Sequence, residues 1–134
     1  MSARSPLAPA RFPRIPEIPG VELAGRHVGL KRRRGAKDLM VARLARGTTV
    51  AGVFTTSRCP SAPVDWCRAV LPGGRVRAIV VNSGNANAFT GNAGDRVVEN
   101  TVKATAALFG CPRKEVFLAA TGVIGEPVPP DAIA

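Results

Sequence analysis

Apolar residues fall along this chain in short clusters, and the spacing within each cluster predicts an element. Residues 21–30 and 38–44 read as two strands joined by a basic turn around Arg32 to Gly35. Residues 48–55 are rich in β-branched side chains and read as a third strand, set off by Gly47. Ser61-Ala62-Pro63 marks a helix start, with Pro63 in the first turn where its missing N–H costs nothing. That helix runs to about Leu71 and stops at Pro72-Gly73-Gly74. Residues 75–81 are almost continuously apolar, the pattern of a strand covered on both faces. From Ala93 to Phe109, Val97, Val98, Thr101, Val102, Thr105 and Leu108 recur at helical spacing, with Asp95 in the first turn and Gly110 as the C-terminal cap. Residues 115–120 form the last strand. Pro129-Pro130-Asp131 then signals another helix start, followed only by Ala132, Ile133 and Ala134. The predicted order is β-β-β-α-β-α-β and a helix that begins and is cut off, the pattern of an incomplete domain.

Composition narrows this picture. Residues 1–20 contain five of the twelve prolines, at Pro6, Pro9, Pro13, Pro16 and Pro19, and are expected to be an extended or disordered segment. Residues 21–134 then make one domain. Its core is aliphatic, because 46% of the chain is hydrophobic while Tyr is absent and Trp66 stands alone. No apolar run is long enough to span a bilayer, and the N-terminal arginines are not followed by a signal-peptide core. The expected location is cytoplasmic, with no membrane partner.

Charge and cysteine content exclude some chemistry. Residues 1–37 carry nine Lys or Arg against two acids, or +7 of the net +10, centred on Lys31-Arg32-Arg33-Arg34 and Lys37. Such a cluster can bind nucleic acid, steer a substrate or simply be solvated. The aromatic platforms that stack single strands are scarce, so solvation or steering is preferred. Cys59, Cys67 and Cys111 cannot all pair within the chain and lie in no C-x-x-C; they read as small buried hydrophobes. His27 is the single histidine, which argues against a zinc site or a Ser-His-Asp triad. No metal or other cofactor is expected.

Two polar, glycine-rich segments remain, each after a strand. The first is Asn82-Ser83-Gly84-Asn85-Ala86-Asn87-Ala88-Phe89-Thr90-Gly91. It matches neither a phosphate loop nor a dinucleotide fingerprint. By residue type it is first a tight strand-to-helix connection, and second a wall of amides beside a ligand. The second is Ala120-Thr121-Gly122-Val123-Ile124-Gly125-Glu126-Pro127. Thr121 and Gly122 put a hydroxyl beside an unhindered N–H, which is equipment for an oxyanion hole. No activated nucleophile accompanies them: no hydroxyl here has a histidine nearby in sequence, and none is an N-terminal threonine.

With these motifs, the chain resembles the N-terminal, α-chain portion of the ornithine acetyltransferases, the bifunctional glutamate N-acetyltransferases of arginine biosynthesis. The likeness is carried by Asp38-Leu39, Val50-Ala51-Gly52-Val53-Phe54-Thr55, Ala62-Pro63-Val64, residues 80–88, Thr90-Gly91 and residues 120–126, in the family's order. The resemblance implies a layered α/β (α+β) sandwich of the ornithine acetyltransferase type, incomplete in this chain. It implies a precursor that cuts itself before a threonine, which becomes the nucleophile. That threonine takes the acetyl group of N-acetylornithine and passes it to glutamate; some members also use acetyl-coenzyme A. It assigns Thr121 and Gly122 to the oxyanion hole. Asn82, Ser83, Gly84, Asn85, Asn87, Thr90 and Gly91 become the supporting loop. The nucleophile lies outside this chain, on a complementary β chain, and the intact enzyme is a heterotetramer.

Two other readings stay open on sequence. One is a related acyltransferase or hydrolase with another acyl substrate, and the other is a basic nucleic-acid-binding module built on residues 31–37. An inactive remnant is the plainest alternative.

Overall fold

The structure, a computed structural model, describes residues 6–11, 13–33 and 35–134. Up to Gly20, the described residues form turns and coil without helix or strand. The chain then builds β1 (Val21–Arg26), β2 (Leu39–Leu44), α1 (Ala62–Val70), β3 (Ala78–Asn85), α2 (Gly91–Phe109) and β4 (Val116–Val123). Short 3₁₀ turns at Leu71–Gly73 and Arg113–Glu115 follow α1 and precede β4. The four strands form one sheet in the order β1-β2-β3-β4. β1–β2 and β2–β3 are antiparallel, whereas β3 and β4 are parallel. A parallel pair needs a crossover, and α2 supplies it. The fold class is therefore α/β, as the resemblance implies.

α2 buries the stripe Gly94, Val97, Val98, Thr101, Val102, Thr105 and Ala106. Val98, Val102 and Ala106 close on Ala78 and Val116, with Trp66 and Ala62 of α1 packed around them. A second cluster joins Cys67, Val76 and Phe117 to Leu44, Val70 and Ile79. α1 lies along the outer edge of β4, where its side chains meet the strand's backbone. Trp66 Nε1 donates to Val116 O at 2.9 Å. Cys67 Sγ lies 3.2 Å from both Leu118 O and Leu118 N. Burial pushes the Cys67 thiol up, so it stays protonated and can donate to the carbonyl.

Several predicted elements change. Residues 48–55 are not a strand; only Thr49 makes an isolated bridge, to Arg75. β3 already has both neighbours, and Val53 is 97% exposed. The segment is held instead by Val50 N–H to Gly74 O, by Arg68 Nη2 to Thr55 O, and by the Arg68 guanidinium over the Phe54 ring. Leu108 is exposed, and Ala106 takes the inward position, because the buried stripe ends one turn before the helix does. Asp95 falls beyond the first turn, because α2 starts at Gly91. Gly110 does cap α2 in the left-handed conformation, its N–H bonding back to Ala106 O and Ala107 O. Cys59 is exposed, unlike the buried Cys67. At Pro129 the chain makes a turn rather than a helix, with Ala132 N–H to Pro129 O and Asn100 Nδ2 to Pro130 O.

Candidate active site

The two glycine-rich segments begin inside the sheet: Asn82 to Asn85 end β3 and Ala120 to Val123 end β4, and only the residues beyond them are loop. Register pairs Ser83 with Thr121 and Gly84 with Gly122. The polar half of β3 survives inside the fold because its amides are satisfied locally. Buried Asn82 donates through Nδ2 to Asn85 O at 2.7 Å. Asn85 Oδ1 accepts from Asn87 N–H at 2.7 Å, and its Nδ2 reaches across to Glu126 O at 2.7 Å. Asn87, at φ 48°, donates to Gly94 O and accepts from Thr90 Oγ1. Asparagine tolerates that left-handed backbone better than other non-glycine residues. Two backbone bonds, Ala86 N–H to Val123 O and Gly125 N–H to Ala88 O, complete the clamp between the segments. Asn85 and these backbone bonds thus tie residues 123–126 to the end of β3 and the turn after it.

Gly84 and Gly122 have φ of +125° and +134°, where a side chain is strained. They also touch. A Cβ on Gly122 would fall on the backbone of Gly84 and within 2.6 Å of Asn85 N. A Cβ on Gly84 would sit 2.7 Å from Leu30 O. Three backbones are therefore stacked at this point, and neither glycine has room for an alanine.

The direction of the β4 backbone decides what the site offers. Glu115 O and Val123 O accept from Arg77 N–H and Ala86 N–H on the β3 side. Val116 and Leu118 turn their backbone groups outward, to α1. Thr121 and Gly122 follow on β4, past the residues that bond to α1. Thr121 and Gly122 are both exposed there. A hydroxyl and an N–H side by side on a rigid edge can receive the negative charge of an attacked carbonyl.

The remaining predicted residues separate. Gly84 and Asn85 line a cleft of about 450 Å³ with Val28, Gly29, Leu30 and Glu126. Thr90 and Gly91 open instead on another cleft, of about 230 Å³, with Cys59, Asp65 and Asp95. Thr90 and Asn87 bond to each other, and Asn87 to Gly94, in the turn into α2.

Asp38 belongs to the site's framework, and residue-type reasoning gave it no role. Its Oδ1 accepts Val28 N–H at 2.6 Å, and its Oδ2 accepts Lys31 N–H at 3.0 Å and lies 3.1 Å from His27 Nδ1. Burial pushes this carboxyl up, but the N–H groups of Val28, Lys31 and Leu30 and the charge of His27 outweigh it and hold it below its ordinary value. The sequence signal was an isolated acid closing a basic turn. Arg34 of that turn lies outside the described residues. Among the described residues, no group of three His, Cys, Asp or Glu side chains could hold a metal ion. No helix there is long and apolar enough to cross a membrane.

The sequence profile of the ArgJ family matches residues 22–134. The chain belongs to the ArgJ family. The arginine biosynthesis bifunctional protein ArgJ of Bradyrhizobium diazoefficiens is 55% identical over 127 residues, covering 95% of this chain and 30% of that protein. The protein of the same name from Nitrobacter winogradskyi is 53% identical over 131 residues, covering 95% and 31%. This ArgJ-family chain therefore spans about 30% of the length of its curated relatives. The fold agrees with solved ArgJ structures. The Bacillus halodurans protein superimposes with a TM-score of 0.79 at 34% identity, over 86% of this chain and 60% of that one. The ornithine acetyltransferase of Mycobacterium tuberculosis, solved with ornithine, gives 0.75 at 37%, over 86% and 62%.

Proposed function

We propose that this chain supplies the oxyanion-stabilising part of an acetyltransferase that moves an acetyl group from N-acetylornithine to glutamate. The observation that carries this reading is the pairing of Gly84 with Gly122, which fixes Thr121 and Gly122 side by side on an open strand edge. The ornithine bound by the Mycobacterium tuberculosis relative supports the choice of amino-acid substrate.

The chemistry follows from the donors. A threonine hydroxyl on a complementary chain attacks the acetyl carbonyl of N-acetylornithine. The carbonyl oxygen becomes an oxyanion and accepts hydrogen bonds from Thr121 Oγ and Gly122 N. The C–N bond then breaks, and the ornithine amine leaves with a proton. The glutamate amine attacks the resulting acetyl ester, the same donors hold the second oxyanion, and N-acetylglutamate departs with the threonine restored. Acetyl-coenzyme A enters the same scheme as a second donor, with a thiol as leaving group. Neither scheme uses a metal. In this reading the complementary chain assembles with this one into a heterotetramer in the cytoplasm.

The test is complementation. This chain is expressed alone and with the remaining portion of the Bradyrhizobium diazoefficiens relative, and transfer from N-acetylornithine to glutamate is followed. Activity is expected only in the combined sample and is lost in Gly122→Pro. Activity in the chain alone would overturn the placement of the nucleophile. Silence from associated, folded chains would overturn the substrate assignment.

A further inference from the structure

We propose that Asp38 is a positioning residue for the oxyanion hole, acting through residues 28–31 and Gly84 on Gly122. The inference rests on the acetyltransferase reading above and deepens it.

Asp38 is 2% exposed, yet no Lys or Arg side chain pairs with it among the described residues; its carboxylate accepts the N–H groups of Val28 and Lys31 and lies beside the exposed His27. Buried charges without such satisfaction are costly, so this arrangement fixes geometry tightly. Val28 and Lys31, the two donors, bracket Leu30. The Leu30 carbonyl lies against the Cα of Gly84, where a Cβ would come within 2.7 Å of its oxygen. Gly84 in turn carries Gly122. A second link starts from the same residue: Asp38 O accepts Ser83 N–H at 2.8 Å, and Ser83 is the register partner of Thr121. Side chain and main chain of one aspartate thus reach both members of the donor pair by separate routes. If the loop of residues 28–31 relaxes, Gly84 loses its contact with Leu30, and the Gly122 backbone packed on Gly84 loses its support.

The test is Asp38→Asn, which keeps the shape but turns one acceptor into a donor facing another N–H. In the enzyme assembled with the complementary portion, kcat is expected to fall by about tenfold or more while KM stays within about twofold, the signature of an interaction made in the transition state. With this chain isotope-labelled in the same assembly, the Thr121 and Gly122 amide resonances are expected to shift while that of Val102 in the core does not. Unchanged kcat, or unmoved Gly122 resonances in a folded variant, would overturn the proposal. Should Asp38→Asn not fold, Val28→Pro removes a single donor to Oδ1 and is expected to move the same resonances and lower kcat; no change there overturns the proposal equally. If the unmutated assembly transfers no acetyl group, the acetyltransferase reading fails, and the resonances alone decide whether Asp38 sets Gly122.

Discussion

Gly84 and Gly122 are the residues on which this site depends most. Each has a positive φ and each lies against another backbone, so an alanine there meets strain and overlap together. Gly84→Ala is expected to lower unfolding stability by about 2 kcal/mol or more, read as a drop in the urea midpoint. Gly29→Ala is the control, since a Cβ there meets nothing within 4 Å and only the backbone strain remains. Asp38 adds a pH dependence whose sign follows from its lowered folded-state value. The unfolded carboxyl binds a proton more readily, so the contribution of Asp38 is complete above the ordinary carboxylate range. It is lost as pH falls through and below that range. At pH 7, Asp38→Asn is expected to cost about 2 kcal/mol, because a buried N–H loses its acceptor. Urea unfolding of both forms from neutral to acid pH should show that gap closing at the acid end. A constant gap would mean that shape, not ionisation, is what matters. Residue type alone singles out Thr121 and Gly122 as a hydroxyl beside an unhindered N–H, and the structure puts both at the exposed end of β4. The role of Asp38 was not legible in this way, because its partners are main-chain groups that every sequence possesses.

At the scale of elements, both helices and the two central strands follow from periodicity, because burial on one helical face or on both sheet faces leaves a repeating mark. The strand predicted over residues 48–55 had the right composition, but the neighbouring β3 is already paired on both sides by β2 and β4, which no local pattern reveals. The ends of β3 and β4 were misread for the opposite reason. Asn82 and Asn85 look like loop residues, yet their amides satisfy the backbone inside the sheet. The outer edge of β4 shows another non-local solution. Trp66 and Cys67 bond to Val116 and Leu118 where a further strand would otherwise pair, so α1 blocks that half of the edge and leaves residues 120–123 open. Trp66→Phe keeps the packing and removes the donor. It is expected to cost about 1 kcal/mol and to leave the Val116 carbonyl unpaired. Thermal unfolding measures the cost, and a downfield or upfield shift of the Val116 carbonyl resonance reports the lost bond. A stability equal to that of the unmutated chain would mean that water replaces the indole at no cost.

For the molecule as a whole, two opposing features set its behaviour in solution. The open end of β4 exposes Val123 and Ile124, and across the sheet Leu23 and Leu108 are 70% and 74% exposed beside an apolar groove of about 290 Å³. Unpaired strand edges and apolar patches of this kind favour association. Against them stands a net charge of +10, concentrated near the N-terminal end, which makes like molecules repel. Repulsion reaches about 30 Å at 0.01 M salt but only about 8 Å at 0.15 M. Hydrophobic and strand-edge contacts need no such range and persist when charge is screened. The chain is therefore expected to sediment as a monomer in low salt and to self-associate as salt rises, at a constant protein concentration. Substituting Val123 and Ile124 by Lys places charge on the open edge and should restore the monomer at 0.15 M. If the substituted chain associates as strongly as the original, the groove beside Leu23 and Leu108 is the sticky surface instead. Association that weakens with salt would show that opposite charges, and not the open edge, bring the molecules together.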